Sequence, residues 1–64
     1  MDVKEVEISE INEIIERRTP LGKFYCFHYE KEKGAFFIGV DNSTGEAWTE
    51  EFVTEDGCKQ WLRA

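Results

Sequence analysis

The feature that most constrains the fold is the stretch from Lys23 to Thr54, in which aromatic residues are concentrated around two turn-like glycines. The stretch holds every aromatic residue of the chain except Trp61. Aromatic and β-branched side chains favour strands, and Gly34 and Gly45 stand where hairpins are expected to reverse direction. The stretch therefore predicts a three-stranded antiparallel meander.

The register of this meander follows if each turn is a type I turn closed by a glycine in the left-handed conformation. Cys26 then lies opposite Val40, and Val40 lies opposite Trp48. The more apolar face is predicted to carry Phe24, Cys26, His28, Phe36, Ile38, Val40, Trp48 and Phe52. The other face is predicted to carry Tyr25, Phe27, Tyr29, Phe37, Gly39, Ala47, Thr49, Glu51 and Val53. A four-residue first turn would instead exchange the two faces of the first strand.

Hydrophobic periodicity predicts a helix on either side of the meander. The first helix has Ser9 as its N-cap and ends before Pro20. Its apolar stripe is Ile8, Ile11, Ile14 and Ile15. The second helix is short and has Thr54 as its N-cap. Its stripe is Cys58, Trp61 and Leu62. Residues 1–8 form either a short strand or an extended lead-in.

Each helix has one apolar stripe, so each needs an apolar sheet face to cover. We expect both helices on the face that carries Ile38, Val40, Trp48 and Phe52. The predicted fold is a single α+β domain over residues 1–64. It has an N-terminal helix, the meander, and a short C-terminal helix packed on one sheet face.

This arrangement leaves the second face uncovered, with more exposed apolar surface than most monomers tolerate. It is the predicted interaction face, and its residues are Tyr25, Phe27, Tyr29, Phe37, Gly39, Thr49 and Glu51. Acidic residues lie near it in the sequence. The predicted acidic surface is Glu46, Glu50, Glu55 and Asp56.

Composition narrows the classes of function. The net charge of −6 disfavours binding to nucleic acid and to anionic membranes. The first eight residues are too charged for a signal peptide, and no apolar run approaches the roughly 18 residues of a membrane helix. Two cysteines are too few for a disulfide framework. We therefore expect a cytoplasmic protein with free thiols.

No set of residues predicts catalysis. Cys26, His28 and Cys58 are the soft metal ligands of the chain, whereas a structural zinc site uses four ligands. A cysteine with His28 makes at most a dyad without a third orienting group. The glycines are too scattered for a phosphate-binding loop. The sequence predicts no enzyme, no metal and no cofactor.

The element order of three strands and a helix ending near Trp61 resembles phage integrase arm-binding and AP2-like domains. The resemblance covers residues Lys23 to Leu62. Those domains bind DNA with a basic sheet, so the resemblance implies DNA binding as one alternative. The third predicted strand departs from this pattern because it is acidic. Its acids are Glu46, Glu50 and Glu51.

The sequence thus favours a non-enzymatic protein–protein interaction module, paired with a second copy through the aromatic face or with another protein. A small inhibitor of the kind carried by phages and mobile elements is an alternative. Its acidic surface would imitate a nucleic-acid backbone and bind a nucleic-acid-binding protein.

The metal prediction is open to a direct test. Protein purified without a chelator should contain well under one zinc ion per chain, because the chain lacks a fourth soft ligand. Elemental analysis measures this content. About one zinc per chain would contradict the prediction.

Overall fold

Four strands and two helices form in the computed structural model, which describes residues 2–64. They are β1 (Val3–Glu5), α1 (Ile8–Arg17), β2 (Gly22–Glu30), β3 (Gly34–Asn42), β4 (Trp48–Phe52) and α2 (Glu55–Arg63). The strands form one sheet in the order β1-β2-β3-β4. The predicted α+β class is confirmed, and the aromatic stretch supplies strands β2 to β4.

The prediction of a three-stranded antiparallel sheet is wrong, because β1 adds a fourth strand parallel to β2. Val3 lies opposite Lys23, and Glu5 lies opposite Tyr25. The Val6 backbone N–H extends this pairing with a 2.8 Å bond to the Tyr25 carbonyl. The intervening α1 provides the crossover that parallel strands need. Of the two alternatives for the N-terminal segment, the short strand forms, at Val3–Glu5.

The pairing of β2 with β3 differs from the predicted register by two residues. Cys26 lies opposite Ile38, not Val40, and Phe27 lies opposite Phe37. Side chains alternate between faces with a period of two, so a shift of two residues leaves both faces of these strands as predicted.

The pairing of β3 with β4 differs from the predicted register by one residue, which places every β4 side chain on the face opposite to the predicted one. Val40 lies opposite Thr49 rather than Trp48. Because of this shift, Thr49 and Glu51 join the face of Val40. The side chains that move to the face of Tyr25 are Trp48, Glu50 and Phe52.

A longer turn between β3 and β4 causes this shift. Gly45 is left-handed as expected, and Ala47 is a second left-handed residue in the same turn, with φ 51°. The buried Asn42 side chain fixes the turn. Its Oδ1 accepts a 3.0 Å bond from the Ala47 N–H, and its Nδ2 donates a 2.8 Å bond to the Pro20 carbonyl. Glycine is the residue that readily adopts this conformation, so an alanine at position 47 does not predict a longer turn.

The two helices lie on opposite faces of the sheet, and the prediction that both cover one face is wrong. Ile11 and Ile14 of α1 pack on one face. The sheet residues beneath them are Phe24, Cys26 and Val40. Cys58 and Leu62 of α2 pack on the other face. Their neighbours there are Tyr25, Val3, Phe37, Phe52 and Trp61. The sheet is thus the middle of three layers.

Only one of the two predicted N-caps is confirmed. Thr54 caps α2, and its Oγ1 accepts a 3.0 Å bond from the Gly57 N–H. In contrast, α1 begins at Ile8 after Glu7, which makes no side-chain cap bond, so the predicted cap at Ser9 is wrong. Arg18 ends α1 in the left-handed conformation.

Gly39 allows α2 to approach the sheet closely. A Cβ atom at this position would lie 3.0 Å from the Cys58 Sγ and 3.3 Å from the Trp61 ring. The first distance is shorter than ordinary van der Waals contact, so a side chain here would push α2 outward. The absence of a side chain on Gly39 therefore positions α2 over the centre of β3.

We predict that Gly39→Ala destabilises the protein by about 1–3 kcal/mol, because the added methyl group overpacks this contact. The same substitution should cost about 1 kcal/mol less in a Cys58→Ala background, where the opposing sulfur is gone. Urea unfolding of the four proteins in this double-mutant cycle measures the coupling. Purely additive effects would show that the Cys58 sulfur does not limit the space for a side chain at position 39.

Candidate interaction surfaces

Part of the predicted interaction face is buried beneath α2. Tyr25 and Gly39 are buried, and the Tyr25 hydroxyl donates a 3.1 Å hydrogen bond to Glu55 Oε2. The Lys59 Nζ lies 5.5 Å from the centre of the Tyr25 ring. Burial raises the pKa of the Tyr25 hydroxyl, and the bond to Glu55 adds to this effect. Tyr25 therefore joins α2 to the sheet.

The seven residues of that face do not form one surface. Thr49 and Glu51 lie on the α1 side of the sheet, because β4 is turned over. Phe27 and Tyr29 remain on the α2 side with 53% and 63% of their surface exposed. Phe37 is half-buried beside Phe27, and the two ring centres are 5.5 Å apart in an edge-to-face arrangement. We name Phe27, Tyr29 and Phe37 the aromatic patch.

The charges next to the aromatic patch cancel. The last residue of β2 and the turn that follows it read Glu30-Lys31-Glu32-Lys33, with two acids and two bases. His28 Nε2 lies 3.8 Å from Glu30 Oε1, and Lys33 Nζ lies 3.6 Å from Glu51 Oε1. This end of the sheet is therefore close to neutral, although the chain as a whole is acidic.

The outer edge of β4 is a second surface, which the sequence did not predict as a unit. β4 pairs with β3 on one side, and no other strand among residues 2–64 pairs with its outer side. Trp48 and the adjoining Val53 mark the ends of this edge and are 62% and 86% exposed. Between them, Glu50 and Glu51 are exposed on opposite sides of the sheet. We name residues 48–53 the β4 edge.

A shallow cavity of about 320 Å³ opens at the end of the β4 edge. Its walls are Lys33, Ala35, Phe36, Glu51, Phe52 and Val53. Phe36 is buried and Phe52 is half-buried, so the cavity has apolar walls next to the carboxylate of Glu51. The cavity is thus suited to an apolar side chain from a molecule that lies along the edge.

The predicted acidic surface is spread over three elements. Glu46 lies in the turn before β4, Glu50 lies within β4, and Glu55 and Asp56 lie in the first turn of α2. Glu55 accepts the Tyr25 hydroxyl bond and lies 3.9 Å from Lys59 Nζ, so part of its charge is balanced. Glu50 is the member of this set that belongs to the β4 edge.

The soft ligands are separated by the sheet. Cys26 and Cys58 are both buried as free thiols, one beneath α1 and one in α2. His28 shares the face of Cys26 and stacks edge-on against Phe36 at 5.4 Å. Within residues 2–64, no three His, Cys, Asp or Glu side chains are grouped to hold a metal ion. The cysteines contribute to the core on either side of the sheet.

Comparison of the chain with models of known protein families, with curated proteins and with solved structures finds no match. Neither helix in the described part of the chain has the length and apolar character to cross a membrane. The aromatic patch and the β4 edge are therefore the two candidate sites for a partner.

We predict that stability falls in alkaline solution. Burial raises the pKa of the Cys58 thiol to about 11, and the nearby Cys26 thiol adds to the shift. The pKa of a cysteine thiol in an unfolded chain is about 8.5. The unfolded chain thus binds fewer protons in this window, and the free energy of unfolding should fall as pH rises from about 8.5 towards 11.

Urea unfolding across this pH range measures the effect, with Cys58→Ala as the control. In the variant, the free energy of unfolding should fall less with rising pH, because the thiol whose pKa is raised by folding is gone. Equal slopes in the two proteins would show that the Cys58 thiol titrates normally in the folded state.

Proposed function

We propose that this chain is a non-enzymatic protein–protein interaction module that pairs reversibly with a second copy of itself through the aromatic patch. The single observation that supports the proposal most is the exposure of Phe27 and Tyr29, which are 53% and 63% open to solvent. They lie side by side on one face of β2 and continue into the half-buried Phe37.

Exposed rings are costly for a domain of this size. Burying a large apolar side chain contributes about 1.5–3 kcal/mol, and a chain of 64 residues has a thin core. Two adjacent rings left in water therefore forgo stabilisation that a partner surface would supply. Tyr29 has a hydroxyl that suits the wet rim of an interface, whereas Phe27 has no polar group and suits its centre.

The charge around the patch permits self-association. Most soluble oligomers are symmetric, and a two-fold axis brings the same surface of both copies together. The alternating acids and bases of residues 30–33 sum to zero, so two copies meet at this end without strong repulsion.

The size of the patch predicts a weak dimer. An aromatic side chain buries about 150–250 Å² when fully covered, and roughly half of each ring is already covered here. Two rings thus supply far less than the approximately 800 Å² per partner of a standard interface. The dimer should therefore form and dissociate readily at micromolar concentrations.

Imitation of a nucleic-acid backbone is less supported by the arrangement of charge. A mimic needs carboxylates in a row, whereas Glu46, Glu50 and Glu55 lie in a turn, a strand and a helix. Glu55 is also engaged by Tyr25 and Lys59. DNA binding through the sheet is disfavoured as well, because Glu50 and Glu51 project from both faces of β4.

We predict that wild-type protein sediments as a monomer–dimer mixture in the micromolar range and that Phe27→Ser shifts it to monomer. Phe27 is more than half exposed, so its replacement should leave the fold intact. The matched control is Leu21→Ser, which removes an equally exposed apolar side chain outside the patch. Analytical ultracentrifugation over a concentration series measures the equilibrium.

Salt gives a second criterion for the same dimer. Each chain carries a net charge of −6, so screening should strengthen self-association rather than weaken it. A wild-type protein that stays monomeric up to several hundred micromolar would refute the dimer, as would equal dissociation by Phe27→Ser and Leu21→Ser. Phe37 is a poorer probe, because it also packs against α2.

A further inference from the structure

We propose that the β4 edge binds an extended, basic segment of a different protein, which pairs with β4 as a fifth strand of the sheet. This surface is separate from the aromatic patch, and the binding proposed for it is additional to self-association. Three observations support the proposal: an unpaired strand edge, two carboxylates at its centre, and exposed apolar side chains at its ends.

The backbone of β4 provides the first requirement. β4 is the last strand in the order β1-β2-β3-β4, and its outer N–H and C=O groups have no partner strand among residues 2–64. An extended peptide that lies along such an edge gains main-chain hydrogen bonds, and alternate side chains then contact either face of the sheet. The edge runs for five residues, Trp48–Phe52, which is enough for a short added strand.

The charge of the edge disfavours pairing with a second copy and favours a basic partner. Full antiparallel pairing of Trp48–Phe52 with itself would place Glu50 opposite Glu50 and Glu51 opposite Thr49. Like charges directly opposite each other destabilise a strand pair, so the edge resists self-pairing. The same two carboxylates attract lysine or arginine, and the nearest base to either of them is Lys33, 3.6 Å from Glu51.

The spacing of the acids specifies the partner segment. Glu50 and Glu51 are consecutive and project to opposite faces, so their partners must be two consecutive basic residues. Trp48 and Val53 lie two residues outside the acidic pair and are widely exposed. Apolar residues two positions outside the basic pair would contact them. At the Val53 end, such a side chain also meets the 320 Å³ cavity walled by Phe36 and Phe52.

The test uses a labelled synthetic peptide, Thr-Val-Thr-Lys-Arg-Thr-Val-Thr, whose near-symmetric sequence fits either strand direction. Fluorescence anisotropy with wild-type protein should show saturable binding that weakens as salt rises. A peptide with Glu-Glu in place of Lys-Arg should not bind. The double variant Glu50→Gln/Glu51→Gln should bind the basic peptide roughly fivefold more weakly, from two exposed ion pairs together.

The matched control is Glu13→Gln/Glu16→Gln, which removes the same charge from exposed positions on α1. This variant should bind the basic peptide as tightly as the wild type. If the two double variants weaken binding equally, the attraction comes from net charge alone and the proposal is overturned. Absence of binding to wild-type protein would overturn it as well.

Backbone methylation separates strand pairing from electrostatic attraction. Methyl groups on alternate peptide nitrogens block every hydrogen bond that one side of the added strand donates, and the other set of alternate positions points away from β4. One set should abolish binding and the other should be tolerated. If both sets are tolerated, the peptide does not pair with the edge, and the proposal fails.

The aromatic-patch variant Phe27→Ser keeps this test separate from the proposed dimer. Phe27 lies on β2, and β3 separates it from β4. The variant should bind the basic peptide with unchanged affinity even where it no longer self-associates. Loss of peptide binding in Phe27→Ser would place the peptide on the patch and overturn the assignment to the β4 edge.

Discussion

The contact between α2 and Gly39 determines which parts of the sheet are covered and which remain available to partners. The Cys58 sulfur and the Trp61 ring lie directly on β3, where any side chain would hold the helix away. Tyr25 and Leu62 complete this contact, and the Tyr25 hydroxyl ties the start of α2 to the sheet through Glu55. A nine-residue helix is not stable alone, so it forms because it docks here.

With α2 docked on Gly39, two exposed surfaces remain, and they differ in charge. The aromatic patch extends from α2 towards the β2–β3 turn, where acids and bases balance. The β4 edge has two exposed carboxylates at its centre. Neutral apolar surface favours pairing with a second copy, whereas an acidic strand edge opposes it and favours a basic partner. The proposed module thus has separate surfaces for itself and for another chain.

The sequence predicted the elements better than it predicted their arrangement. Periodicity located both helices, and the Thr54 cap is confirmed. The predicted orientation of β4 is wrong because Ala47 adopts a left-handed conformation in the turn, where its N–H donates a hydrogen bond to the Asn42 side chain. That one-residue shift moved Thr49 and Glu51 off the predicted interaction face. Gly39 was predicted as part of an open interaction face, whereas it lies beneath Cys58 and Trp61 of α2.

The central claim is that α1 and α2 lie on opposite faces of the sheet, with α2 on Gly39. Nuclear Overhauser effects between the Gly39 α-protons and the Trp61 indole protons test it most directly. We expect strong cross-peaks for this pair and upfield-shifted Gly39 α-protons, together with cross-peaks from Ile11 and Ile14 to Val40 on the other face. Cross-peaks from Trp61 to Val40 or Ile11 would place both helices on one face and contradict it.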